Sequence, residues 1–246
     1  MIYDSILKNL DLNNRIKIIK LSNYIGYYLL NNKSLWKDIE IYNLKGYKYI
    51  FDYLKEINNK PEKIICISSG KIKVNLDGYN LSSLNHLDLS NSKITYNNLI
   101  KILYNCKLRT LFLKRLNFHS LIRHISNSQK DTLEQLDLSI CKKNTYNFNI
   151  NNLSNIYQLN NLKVLKINNN LISLDIFMSI IEIKSLEELE IRNIIINHKY
   201  VYCICHHLNY IIPLLSKLKK LTITDNIFCQ RTTEIMKIKL KYNLII

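Results

Sequence analysis

Apolar residues recur along this chain in two alternating rhythms. In the first, two apolar residues flank one intervening position and a third precedes them by three, as in Leu84, Leu87 and Leu89 or Leu162, Leu165 and Ile167. Period-two spacing puts such a pair on one face of a short strand and turns the residue between them to the other face. In the second rhythm the spacing is helical. Leu99, Ile100, Ile102 and Leu103 follow Thr95, which is suited to cap a helix over 95–106. Ser173 and Asp175 ahead of Ile176, Phe177, Ile180 and Ile181 begin a similar helix. The spacer from Lys199 to Leu218 predicts a longer helix that bends or stops near Pro213.

The strand rhythm belongs to a repeat, L-x-x-L-x-L-x-x-(N/C/S)-x-(I/F). Leu162, Leu165, Ile167, Asn170 and Ile172 fill all five of its marked positions, as do Leu84, Leu87, Leu89, Ser92 and Ile94, and Leu218, Leu221, Ile223, Asn226 and Phe228. Further copies start at Leu108, Leu133 and Leu186, and weaker ones at Trp36 (with Ile39, Ile41 and Leu44) and Pro61 (with Ile64 and Cys66, in an open frame). The starts are separated by 25, 23, 24, 25, 29, 24 and 32 residues, so each period holds one strand, one turn and one helix. A strand of this kind has no core of its own. Stacked in parallel, such strands pool their leucines into a continuous interior, each worth roughly 1.5–3 kcal/mol when fully buried. The Asn, Ser or Cys after the strand is expected to turn inward and to find its hydrogen bonds on neighbouring backbone.

This repeat resembles the leucine-rich-repeat superfamily. The resemblance implies an α/β solenoid, a horseshoe with a parallel concave sheet and convex helices, over residues 37–246. The stretch Ile94-Thr95-Tyr96-Asn97-Asn98-Leu99-Ile100-Lys101-Ile102-Leu103-Tyr104-Asn105-Cys106-Lys107-Leu108 resembles the cysteine-containing repeats typical of F-box proteins, with Tyr96 and Asn98 where Asp and Gly are usual. Residues 1–36 resemble the later part of an F-box: Ile6, Leu7, Leu10 and Leu12, then Ile16, Ile19, Leu21 and Ser22, then Leu35-Trp36 just ahead of the first strand. The Leu-Pro-x-Glu opening of that module does not occur there. The resemblance makes Ile6, Leu10, Ile16 and Leu21 an adaptor-binding strip for the ubiquitin-ligase adaptor Skp1. The alternative is a helical cap whose Trp36, the one Trp of the chain, covers the end of the repeat core.

Composition changes this picture in two respects. The chain of 246 residues has no alanine, four Gly and two Pro, with Ile, Leu, Asn, Lys and Tyr in abundance, which is the mark of an A/T-rich coding bias. That bias, joined to the repeat architecture, resembles repeat families of large insect DNA viruses and implies a host-directed role. The net charge of +16 comes from 29 Lys and only six Arg, whereas specific phosphate and base recognition leans on the Arg fork. A Lys excess attracts polyanions weakly, and nucleic acid is not the expected partner. No stretch approaches the ~18 apolar residues of a membrane span and the N-terminus lacks a signal-like core, so an intracellular protein, in cytoplasm or nucleus, is expected.

Chemistry-bearing motifs are few. Cys203-Ile204-Cys205-His206-His207 gathers metal-ligand types, yet on a helix 203 and 207 share a face that 205 does not, and no second pair stands at zinc-site spacing. The six cysteines show no disulfide-framework spacing, and no Walker, Rossmann or nucleophile-elbow pattern occurs. A non-enzymatic protein without cofactor or metal, monomeric outside its complexes, is the expectation. Its informative surface is the concave face, where the residues between the core leucines project. Asp88, Phe112, Asp137, Lys166 and Glu190 lie in the middle column, with Arg192 beside them, and these six are the candidate partner-binding residues for a protein ligand.

Overall fold

A computed structural model describes residues 9–10, 14–15, 32–42, 60–67, 76, 78–116, 121–140, 153–172, 174–192, 195–196, 216–222 and 244–245. The chain divides into two compact units, residues 1–108 and 109–246. Both are α/β, with parallel strands joined by helices and turns, the arrangement of a leucine-rich-repeat-type solenoid.

In the first unit a 3-10 turn at Lys33–Trp36 leads into β1 (Asp38–Tyr42), followed by β2 (Lys63–Ile67), β3 (His86–Asp88) and helix α1 (Tyr96–Asn105). The three strands are parallel neighbours. Their register, Ile39 to Ile64 to Leu87, closes the frame that the sequence leaves open at β2: Ile64 and Cys66 are its inward pair. Leu87 and Leu89 are fully buried. α1 begins where Thr95 predicts it, with the Asn98 backbone N–H donating to Thr95 Oγ1 at 3.3 Å, and it buries Leu99, Ile102 and Leu103. Trp36 and Leu35 are also buried, and the guanidinium of Arg15 donates through Nη1 to the Leu35 carbonyl.

In the second unit β4 (Thr110–Phe112), β5 (Gln135–Asp137), β6 (Val164–Lys166), β8 (Glu188–Glu190), β10 (Lys220–Thr222) and β11 (Leu244–Ile245) follow one another in one parallel sheet. Leu111, Leu136, Leu165, Leu189 and Leu221 are successive register partners, and all are buried. Each of these strands but β11, which starts at Leu244, begins one residue before its first inward leucine. Helix α2 (Leu121–Gln129), a 3-10 turn at Leu153–Gln158 and helix α3 (Leu174–Ile181) fill the intervals. A second, two-stranded sheet pairs β7 (Leu171–Ile172) with β9 (Ile195–Ile196), which are the tail positions of two consecutive repeat motifs.

The repeat also fixes backbone geometry after the strand. Asn91, Arg115 and Asn169 each stand two residues beyond the second inward leucine, with φ of 60°, 66° and 57°. Asn tolerates this left-handed conformation better than other non-glycine residues, and Arg115 adopts it as well. The inward Asn of the motif is realised at Asn170 through its Nδ2, while its Oδ1 is buried without a hydrogen-bond partner. Its Nδ2 donates to the carbonyls of Ile167 at 2.8 Å, Asn168 at 3.1 Å and Leu138 at 3.2 Å, the last of these in the preceding repeat. Ser92, at the same motif position, is buried, but its hydroxyl has no hydrogen-bond partner. The inward turn therefore holds there without the side-chain bonds expected of it.

The motif positions Leu44, Phe118, Cys141, Ile194, Ile223, Asn226 and Phe228, the cluster at 203–207 and residues 199–215 of the helix expected over 199–218 lie outside the described residues, and 216–218 are a turn and its exit, not helix. Among the described residues no helix is long and apolar enough to cross a membrane.

Candidate functional site

Five of the six candidate partner-binding residues stand in or beside the second unit's sheet, on the face turned away from the leucines. Strand pairing makes Phe112, Asp137, Lys166, Glu190 and Thr222 successive partners, and Thr110, Gln135, Val164, Glu188 and Lys220 a parallel row next to them. Adjacent strands lie about 4.8 Å apart, so each row is a close-set line of side chains. Phe112, Asp137, Lys166 and Glu190 are half-buried and Arg192 is exposed.

Charges on this face are unevenly committed. Glu190 is the hub of a network: Arg192 Nε is 2.8 Å and Lys166 Nζ 3.4 Å from its carboxylate, and Asn168 Nδ2 donates to Oε1 at 2.9 Å. Burial pushes the Glu190 carboxyl up, but the Asn168 hydrogen bond and the two cations outweigh it and hold the group below the usual glutamate range. Asn168 also accepts the Arg192 backbone N–H on Oδ1 at 2.8 Å, which ties the network to the turn of the next repeat. Glu188 pairs with Lys220 at 3.6 Å. Asp137 is different. Its Oδ1 accepts the Ser139 backbone N–H at 2.9 Å, and among the described residues it has no ion pair. The β4–β5 end of this face thus offers an aromatic ring beside an oriented carboxylate that no cation among the described residues pairs with.

Asp88 belongs to the first unit, and there the side chain is buried, at 8% relative exposure, with Oδ1 accepting the Ser90 backbone N–H at 2.8 Å. It is the least accessible of the six candidates. Near it, burial first and Lys63 second lower the His86 imidazole below its ordinary value, against the pull of Asp88, Glu40 and Asp38. Lys63 Nζ meets Glu40 Oε1 at 2.6 Å on the same face.

A second row of charges runs along the residues just before the strands. In the second unit Arg109, Glu134, Lys163, Glu187 and Lys219 are linked by backbone bonds from each amide to the preceding carbonyl, at 2.7 to 2.8 Å. Their signs alternate. Lys163 meets Glu134 at 2.9 Å, Lys219 meets Glu187 at 2.7 Å, and Arg109 Nε is 3.9 Å from Glu134. In the first unit Lys37 and Glu62 repeat the pattern at 2.7 Å.

Of the strip proposed for an adaptor, Leu10 is half-buried, and Ile6, Ile16 and Leu21 lie outside the described residues. Cys66 and Cys106 are buried, and burial pushes both thiols up to about 12, so they sit protonated at neutral pH, with Cys106 Sγ donating to the Ile102 carbonyl at 3.0 Å. Among the described residues no group of three or more His, Cys, Asp or Glu side chains is placed to hold a metal. Sequence reasoning missed the unequal pairing of Asp137 and Glu190, because both read as middle-column acids. What separates them is Asn168 and Arg192, which flank Glu190 only once the strands are in register.

No protein-family model matches the chain, and no curated protein is significantly similar to it.

Proposed function

We propose that this chain is a non-catalytic protein-binding scaffold that holds a partner protein on the sheet face of its repeats. The supporting observation is the half-buried Phe112 beside Asp137, an oriented carboxylate without an ion pair among the described residues, next to a Glu190 network that is already satisfied. An aromatic residue flanked by uncommitted polar groups is the composition of an interface anchor, while a satisfied network keeps its surroundings rigid. The mixed charge of this face suits a protein better than a nucleic-acid backbone. Reversing Asp137 and Glu190 together to Lys is expected to weaken the partner at least tenfold in a titration, with the fold retained by circular dichroism. Unchanged affinity in the folded double variant would move the binding surface off the sheet.

A second reading extends the first. In it the N-terminal segment docks a ubiquitin-ligase adaptor and the chain is a substrate receptor. Leu10, an apolar residue left half-exposed in that segment, favours it. The buried Trp36 and the Arg15 bond to Leu35 favour the rival in which residues 1–36 cap the repeats and the scaffold sequesters or blocks its partner. Deleting residues 1–30 separates the two. Lost adaptor binding at a near-normal melting temperature supports the receptor, and a large drop in melting temperature in a chain that never bound the adaptor supports the cap.

A further inference from the structure

Away from the strands, the second unit holds an open cleft of about 530 Å³ where α2, the turn that follows it and the 153–158 turn meet, lined by Ser126, Asn127, Lys130, Tyr157, Gln158 and Asn160. Its size is that of a small-ligand site, and its lining mixes polar groups with the apolar carbon surface of side chains such as Tyr157. The walls are tied together, since the Asn160 backbone N–H donates to the Lys130 carbonyl at 2.9 Å. The side chains are not used up by that structure. Among the described residues, no side-chain hydrogen bond or ion pair engages Asn127, Lys130, Tyr157 or Gln158, although they stand side by side around one depression. Ser126 is wholly buried, and its Oγ has no hydrogen-bond partner. Ser126 backs the cleft from the interior, and the side chains that meet a ligand there are those of Asn127, Lys130, Tyr157 and Gln158.

The chemistry of the lining narrows the ligand. It offers one ammonium, the amide N–H groups of Asn127 and Gln158, the phenol of Tyr157 and no carboxylate. Asp131, next to Lys130 in the chain, has its Oδ1 engaged by Asn160 Nδ2 at 3.0 Å. A point cation among neutral donors matches a group with several strong acceptor oxygens. The cleft is also larger than a bare oxyanion needs, and Tyr157, 47% exposed, presents a ring against which an organic moiety can lie.

We propose that this cleft binds a small phosphomonoester, with the phosphate held by Lys130, Asn127 and Gln158 and the organic part against Tyr157. The site uses helix and turn residues only and is independent of the sheet-face reading.

The test is an NMR titration of the full chain with inorganic phosphate, adenosine monophosphate, adenosine and glucose in turn. Saturable amide shifts centred on 126–130 and 157–160 are expected with adenosine monophosphate and, at least tenfold more weakly, with phosphate. Lys130→Ala should weaken the nucleotide tenfold or more, whereas Lys184→Ala, which removes an exposed lysine elsewhere in this unit, should leave it unchanged. Lys130→Gln replaces the Ala variant if that one melts early. Three results overturn the proposal: no saturation by either phosphate compound, equal weakening by the two lysine variants, which reduces the effect to the general field of a +16 chain, or binding of adenosine or glucose as tight as the nucleotide.

Discussion

The turn after β6 and the turn after β3 occupy the same place in the repeat and are held in different ways. Asn170 reaches three carbonyls, one of them in the preceding repeat, and so bonds its turn to the stack. Ser92 is as deeply buried but too short to do this, and its hydroxyl goes without a partner. Both turns nevertheless sit over equally buried strands, with Leu87 and Leu165 each at 0% exposure. The leucine core is thus the common element of the repeats. The polar turn is an addition that some repeats make and others forgo.

The largest effects should come from the common element. Leu165→Ala and Leu87→Ala are each expected to cost about 2–5 kcal/mol in urea denaturation, because each strand is covered from its neighbours and cannot close over the lost volume. A cost at Leu87 far below that at Leu165 would mean that the strands of the first unit are less firmly packed than those of the second. The turns should then part company. Asn170→Ala leaves carbonyls without their donor and is expected to cost about 1–3 kcal/mol, whereas Ser92→Ala removes an unpaired hydroxyl and should be neutral or slightly stabilising. Equal costs for the two would erase the distinction.

The smallest effect concerns the sheet face beside the Asn170 turn. Glu190 is held below its usual value in the folded state, so its charged form stabilises the fold at pH values above the unfolded carboxylate pKa, and that contribution is lost as pH falls through the lower folded value. Glu190→Gln should therefore narrow the gap between urea midpoints measured at pH 6 and pH 3. An unchanged gap would show that Asn168, Lys166 and Arg192 do not act on it in solution.

The spacing of leucines was enough to place six strands, β3, β4, β5, β6, β8 and β10, to within one residue, because an inward pair with period two admits one register and a slip would turn every leucine outward, whereas β11 carries no such motif and was not expected. The Thr95 cap and α1 were legible for the same kind of reason: local chemistry decides them. What the sequence left hidden depends on contacts between repeats. In the 29-residue interval after Leu133 the 3-10 turn at 153–158 went unread, although Leu153, Ile156 and Leu159 recur at every third residue; the turn lies against α2 and α3. The pair Leu171–Ile172 and Ile195–Ile196 read as motif tails and proved to be strands, since only parallel stacking brings them side by side. Asp88 read as a groove residue because it stands between two leucines. Its depth, with Oδ1 bound to the Ser90 amide, comes from neighbours that the local pattern does not contain. The lining of the cleft was invisible too, being assembled from two segments with about thirty residues between them, each polar and unremarked in isolation.

The alternating row before the strands bears on how such a chain can lengthen or shorten over generations. Arg109, Glu134, Lys163, Glu187 and Lys219 make every junction a meeting of opposite charges. Excision of the single repeat that carries Glu134 would set Arg109 against Lys163, and duplication of that repeat alone would set glutamate against glutamate. Loss or gain of two consecutive repeats keeps the alternation whole. Descendants of this chain that differ in length are accordingly expected to differ by even numbers of repeats in this region, the parity of the array being inherited along with its fold.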